Sequence, residues 1–170
     1  MARDLHRNLI VLLPRLVAFA RAILADADAA RDLVQEAAAR ALAARRVPED
    51  EPAYRAWMFR IVRNAAIDEF RRNRQPAPDP ELEVPVDLWR FDDACIAKIT
   101  VEQGLAELPA SYREIIALID IAGFRYSEAA EILDVPVGTI MSRISRARGA
   151  LLAAINASSV RPITKSGHGH

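Results

Sequence analysis

A chain of 170 residues fits one domain, or two small ones of about 70 residues each. Abundant Ala with only 6 Gly favours helix, and no run of alternating β-branched or aromatic residues bounded by turn residues marks a strand, so no sheet is expected. A formal net charge of zero argues against a nonspecific nucleic-acid binder, and the single Cys95 excludes an internal disulfide and the usual Cys-pair zinc sites.

At the N-terminus Asp4 and Arg7 interrupt any apolar run, so no signal peptide is read there. Leu9–Val17 is too short to span a bilayer and contains Pro14 and Arg15, which leads us to expect a soluble, cytoplasmic protein without membrane insertion. The first predicted helix covers residues 4–25, with Leu9, Leu12, Leu13, Leu16, Phe19, Ala20 and Ile23 at helical spacing and Pro14 as a point of kinking or splitting. A second helix starts after Asp26 or Asp28, each a good N-cap, and runs to about Arg46 with Leu33, Ala37, Ala41 and Ala44 along one side. After the break at 47–52, a third helix spans about 53–73. Its apolar face holds Trp57, Met58, Ile61, Val62, Ala65 and Phe70, and its opposite face holds Arg60, Asn64, Asp68 and Arg71.

Residues 75–93 contain Pro76, Pro78, Pro80 and Pro85 among several acids, and residues 74–95 carry 2 basic and 6 acidic side chains. Proline blocks helix, so an extended acidic tether is expected, although Val84, Val86, Leu88, Trp89 and Phe91 point to docking of part of it. Four more helices follow at about 97–107, 110–122, 126–133 and 137–155, broken at Pro109, Gly123 and Asp134–Gly138. The remainder, 158–170, reads as a disordered tail; His168 and His170 in it are not taken as a metal site. The expected organisation is all-α: a helical domain over 1–74, a linker over 75–96, a second helical domain over 97–157, and the tail.

Tyr126–Leu151 carries the most informative pattern. A short helix, the turn Asp134-Val135-Pro136-Val137 and a longer helix follow one another. On the longer helix Ile140, Ile144, Ala147 and Leu151 face inward, while Thr139, Arg143, Arg146 and Ala150 lie on another face, with Arg148 nearby. No acid occurs from Val135 to Asn156. A recognition helix has this form, one stripe on the scaffold and the other toward the major groove; a plain helical hairpin with a solvated basic face has it too. In the third helix, Arg55, Arg60, Arg63, Arg71, Arg72 and Arg74 interleave with Tyr54, Trp57, Phe59 and Phe70, a mixture that suits opened DNA whose bases stack. For Trp57 the reading as a bundle core residue carries more weight. Cys95 reads as a small buried hydrophobe before a redox handle.

These clusters resemble a known family, the extracytoplasmic-function (group 4) sigma factors of the sigma-70 family. Residues 28–74 resemble region 2, through Asp32-Leu33-Val34-Gln35-Glu36 and through Trp57-Met58-Phe59-Arg60-Ile61-Val62-Arg63-Asn64 with Asp68 and Arg71-Arg72. Residues 105–151 resemble region 4, through Leu108-Pro109, Arg113-Glu114, Gly123-Phe124, Tyr126-Ser127-Glu128-Ala129-Ala130 and Gly138-Thr139-Ile140-Met141-Ser142-Arg143 with Arg146-Ala147-Arg148. The resemblance implies a region 2 three-helix bundle and a region 4 helix-turn-helix bundle. It implies that Asp32, Leu33, Gln35 and Glu36 meet core RNA polymerase. It places Arg60, Arg63, Asn64, Asp68, Arg71 and Arg72 against the −10 element, where a flipped base nucleates melting, and Thr139, Ser142, Arg143, Arg146 and Arg148 against the −35 element. It further implies a linker threading toward the polymerase active-site channel, an anti-sigma partner, no cofactor and no small-molecule substrate.

Two positions depart from the family pattern. Met141 stands where a basic residue is frequent, and the loop Pro48-Glu49-Asp50-Glu51-Pro52 is short and acidic. A stand-alone helix-turn-helix regulator accounts for 126–151 but not for the Asp32–Glu36 and Trp57–Asp68 sets. A sigma mimic that sequesters an anti-sigma factor does not need Arg143, Arg146 and Arg148. An enzyme is the weakest reading, because no phosphate loop, acid/base pair or metal set is present in the sequence.

Overall fold

A computed structural model describes residues 2–73 and 93–159, with the backbone alone for 2–7, 93–99 and 158–159. Its elements are α1 (Ala2–Leu24), α2 (Ala27–Ala43), α3 (Glu51–Arg72), α4 (Asp93–Glu107), α5 (Ala110–Ile116) leading into a π-helical turn (Ala117–Ile121), α6 (Tyr126–Leu133) and α7 (Val137–Ser159). No strand occurs among the described residues.

In α1 the expected stripe is inside: Leu9, Leu12, Leu16, Phe19, Ala20 and Ile23 are buried and Leu13 packs against them. Pro14 does not split the helix. It lies on the outer side near Ile10, which is 66% exposed, where solvent reaches the carbonyl that proline leaves without a donor. Ala25 ends the helix in the left-handed region (φ 57°), its N–H on the Arg21 carbonyl at 2.8 Å. Asp26 then caps α2 by accepting from the N–H groups of Asp28 and Ala29 at 2.9 and 3.0 Å. The buried stripe of α2 is Ala30, Val34, Ala37 and Ala41, one step round from the expected Leu33, Ala37, Ala41 and Ala44, and the helix stops at Ala43 rather than Arg46. α3 begins at Glu51, two residues earlier than its prolines led us to expect. Pro52 occupies the first turn, where no intrahelical donor is needed, and Asp50 accepts from Ala53 N–H at 2.9 Å.

The second half is built around α7, which packs on α4, α5 and α6. Gly104 lets α4 and α7 approach closely: a Cβ there would lie 3.0 Å from Ile155 Cγ1 and 3.1 Å from Leu151 Cδ1, and those side chains would have to give by a few tenths of an ångström. α4 starts at Asp93, inside the stretch expected as linker, and α7 runs through Ser159, past the expected start of the tail. The rest of both segments, including Val84, Val86, Leu88, Trp89 and Phe91, lies outside the described residues, as does the side chain of Cys95. The helix expected over 110–122 is α-helical only to Ile116. It widens into a π turn in which Ala122 N–H reaches the Ala117 carbonyl at 2.8 Å, and Gly123 (φ 70°) closes it.

The two halves are packed together. α1 lies against α4, α5 and the π turn, α3 lies against α5 and α6, and one continuous core joins them. Phe59 is central to this junction, edge-on to Phe19 at 5.3 Å and to Phe124 at 4.9 Å between ring centroids.

Candidate functional site

The helix-turn-helix is formed by α6 and α7. Glu128 accepts from the backbone N–H of Arg125 at 2.7 Å and so fixes the start of α6. The turn is made by Asp134 in the left-handed region (φ 53°, ψ 51°), with Val135 N–H on the Ala130 carbonyl at 3.1 Å. α7 starts directly after Pro136, whose carbonyl accepts from Thr139 and Ile140. Ile140, Ile144 and Ala147 are buried as expected, which turns Ser142 and Arg146 fully outward and leaves Thr139 and Arg143 half-exposed. Arg148, also in the expected −35 set, is paired in this structure. It donates to both Asp120 carboxylate oxygens, at 3.1 and 2.6 Å, and this pairing holds its guanidinium pKa above the usual range. Its side chain is nevertheless about half exposed, and Thr139, Ser142, Arg143 and Arg146 lie on a separate face.

On α2, Asp32, Gln35 and Glu36 are exposed opposite the buried alanine stripe, with Leu33 half-buried beside them and Glu36 paired to Arg40. An open groove of about 370 Å³ between α2 and α3 is lined by Asp32, Leu33, Glu36, Asp68, Glu69 and Arg72, among others. Three of the polymerase candidates, Asp32, Leu33 and Glu36, and two of the −10 candidates, Asp68 and Arg72, therefore share one groove, in which acids outnumber cations.

Along α3, Arg60, Asn64, Asp68 and Arg71 are exposed in the expected row. Arg72 pairs with Glu69 at 2.8 Å. Two of the −10 candidates are engaged by the second half. Arg60 donates to the Glu131 carbonyl of α6 at 3.1 Å, and Arg63 forms an ion pair with the buried Glu114 of α5 while donating to Asn64 Oδ1 at 3.1 Å. The aromatic reading of α3 needs correction. Tyr54 and Phe59 are buried, Phe59 fully, and neither offers a face to a base; Trp57 is half-buried with its ring 5.8 Å from Tyr54, in keeping with the core reading. Arg55, taken as part of the basic cluster, donates to the Ala122 carbonyl and lies 4.1 Å over the Phe124 ring.

Arg113 and Glu114, singled out in the sequence only as motif residues, are both buried at the junction. Arg113 donates to the carbonyls of Leu108 at 2.9 Å, Ile23 at 3.0 Å and Ala106, and its guanidinium lies 5.3 Å from the Phe70 ring centre. Burial lowers its pKa from the ordinary arginine value. Two adjacent charges, the only ones on a short helix and directly followed by apolar residues, were the available signal, since buried charges occur where partners await them.

No helix among the described residues is long and apolar enough to cross a membrane.

Two families match this chain. The one described as Sigma-70 region 2 covers residues 11–75, and the one described as Sigma-70, region 4 covers residues 99–151. The ECF RNA polymerase sigma factor EcfG of Rhodopseudomonas palustris is 35% identical over 157 residues, covering 89% of this chain and 85% of the relative. The ECF RNA polymerase sigma factor SigW of Bacillus subtilis is 31% identical over 146 residues, 76% of each. Among solved structures, the sigma factor RpoE in complex with the anti-sigma factor NepR from Bartonella quintana superposes with a TM-score of 0.65 at 31% identity, covering 91% of this chain and 98% of that one. CnrH in complex with the cytosolic domain of CnrY gives a TM-score of 0.69 at 26% identity, covering 92% of this chain and 90% of that one.

Proposed function

The chain belongs to the extracytoplasmic-function sigma factors of the sigma-70 family, and on that premise we propose how its surfaces divide the work of transcription initiation. It acts in the cytoplasm as a binding factor rather than a catalyst, carrying core RNA polymerase to −35 and −10 elements and aiding promoter melting. Asp32, Leu33, Gln35 and Glu36 on the outer face of α2 meet the polymerase. Arg60, Arg63, Asn64, Asp68, Arg71 and Arg72 on α3 meet the −10 element. Thr139, Ser142, Arg143 and Arg146 on α7 meet the −35 element, with Arg148 holding the helix to Asp120. The single observation that carries this reading is the recognition helix: its inward stripe is buried, Thr139, Ser142, Arg143 and Arg146 reach solvent on its other side, and it carries no acid.

The closed packing bears on regulation. With Arg60 on the Glu131 carbonyl and Arg63 on Glu114, −10 contacts by these two side chains require the halves to part. An anti-sigma protein is the expected regulator, since the relative RpoE was solved with one.

The test is binding to purified core polymerase by wild type and by Asp32→Ala and Gln35→Ala. Saturable binding is expected, weakened about tenfold by either substitution at unchanged fold stability, a cost of the size that interface truncations produce. Binding that neither substitution alters would remove α2 from the polymerase contact.

A further inference from the structure

We propose that Met141, with Val137 one turn before it, reads a thymine of the −35 element through its C5-methyl group. This rests on the sigma-factor reading above and specifies the ligand chemistry of the same helix.

Large apolar side chains exposed on α7 are few among the described residues: Val137 at 42%, Met141 at 54% and Leu152 at 61%. Val137 and Met141 are four apart, so they stack on one flank of the helix at the end nearest the turn. Neither completes the core, which the neighbouring stripe of Ile140, Ile144 and Ala147 fills. Between this flank and the cationic flank of Thr139, Arg143 and Arg146 runs a line of small residues, Gly138, Ser142, Ser145 and Gly149. A Cβ added at Gly138 or Gly149 would meet nothing within 4 Å, so packing of the protein does not demand glycine at either position. A small-residue centre lets the helix backbone sit close to the bases, and the longer Met141 then reaches past it along one edge.

The surroundings select the occupant. No acid lies between Val135 and Asn156, and Arg143 and Arg146 share the helix, so the surface is complementary to DNA. Within the major groove one base presents an apolar group, the thymine C5-methyl, and side chains of this kind pack on it. A flexible thioether suits a contact that needs reach and no hydrogen bond.

The experiment uses holoenzyme assembled from the full chain and core polymerase on a promoter selected by that holoenzyme from a pool. Each −35 thymine is replaced in turn by deoxyuridine, which removes the methyl and leaves every hydrogen-bonding group. One replacement is expected to weaken promoter binding about fourfold, the value of one buried methyl-sized group. Met141→Ala is expected to bind the two promoters equally, and Met141→Leu to restore the discrimination.

Deoxyuridine without effect at every −35 thymine, or discrimination undiminished in Met141→Ala, overturns the proposal while Arg146→Ala still weakens the promoter and the sigma reading stands. A Met141→Ala defect in core-polymerase affinity with thymine discrimination intact also overturns it, by making the patch a protein contact. Holoenzyme binding that ignores the −35 element altogether is the distinct outcome in which the reading beneath the proposal fails.

Discussion

Burying a guanidinium is tolerated where its donors find acceptors and its plane finds a partner. Arg113 meets both conditions with groups from three helices, the Ile23 carbonyl of α1, the Ala106 carbonyl of α4 with that of Leu108 just after it, and the Phe70 ring of α3. Arg113→Met is therefore expected to cost about 2–4 kcal/mol in urea unfolding, because three carbonyls lose their donor at once, with Arg113→Lys recovering only part of it. Tyr54 presents the opposite case, a buried hydroxyl with no hydrogen-bond partner among the described residues. Tyr54→Phe is expected to raise stability by about 1 kcal/mol. Burial also raises the Tyr54 pKa above 10, since the ionised form is the one penalised. The folded state then holds its proton where the unfolded chain releases it, so stability is intact below pH 10 and falls as pH rises beyond it. The Phe variant lacks that alkaline loss, and pH-resolved denaturation separates the two. Sequence periodicity identified the inward residues of α1 and α7 because each buries one stripe. It misplaced Phe59, which lies beside a polar row on α3 yet is covered by Phe124 from the other half of the chain; no local pattern encodes a neighbour 65 positions away.

At the scale of elements, starts and stops were legible where one side chain makes them. Asp26 caps α2, and Asp134 makes the turn between α6 and α7. The π turn after α5 was not legible, because Ala117–Ile121 is an ordinary helix-forming run, and its extra residue is set by Gly123 and by Phe124 N–H reaching the Leu118 carbonyl at 3.0 Å. The early start of α4 was hidden by the prolines before it, which mark where helix is barred and not where it resumes. Ala25 carries a left-handed backbone without being glycine. Ala25→Gly is expected to stabilise the protein by about 1 kcal/mol, read as an upward shift of Tm, because that conformation strains any Cβ. In α7, Arg146→Ala is expected to cost about 1–3 kcal/mol in promoter binding, measured on −35 duplexes with holoenzyme, whereas Arg148→Ala should act chiefly on stability through the lost Asp120 pairing.

For the whole molecule, two helical modules were legible in the two motif sets and the proline-rich acidic stretch between them, but their mutual packing was not. That packing is held by long-range partners such as Arg63 with Glu114, Arg21 with Glu102 at 2.7 Å, and Phe59 with Phe124. Glu114→Gln keeps the shape of the junction and removes its charge. Small-angle scattering of this variant is expected to give a larger radius of gyration, and its core-polymerase affinity is expected to rise about threefold, because a larger fraction of the chain is already open. Unchanged scattering and affinity would show that the ion pair does not hold the halves together. Transcription by core polymerase on a promoter pool, with and without the chain, tests most directly whether this closed chain, neutral overall and all-helical among its described residues, opens onto polymerase and chooses promoters. New transcripts are expected from a subset of promoters sharing −35 and −10 elements, and they are lost with Arg146→Ala. A folded chain that binds no core polymerase and yields no promoter-specific transcript would contradict the sigma reading.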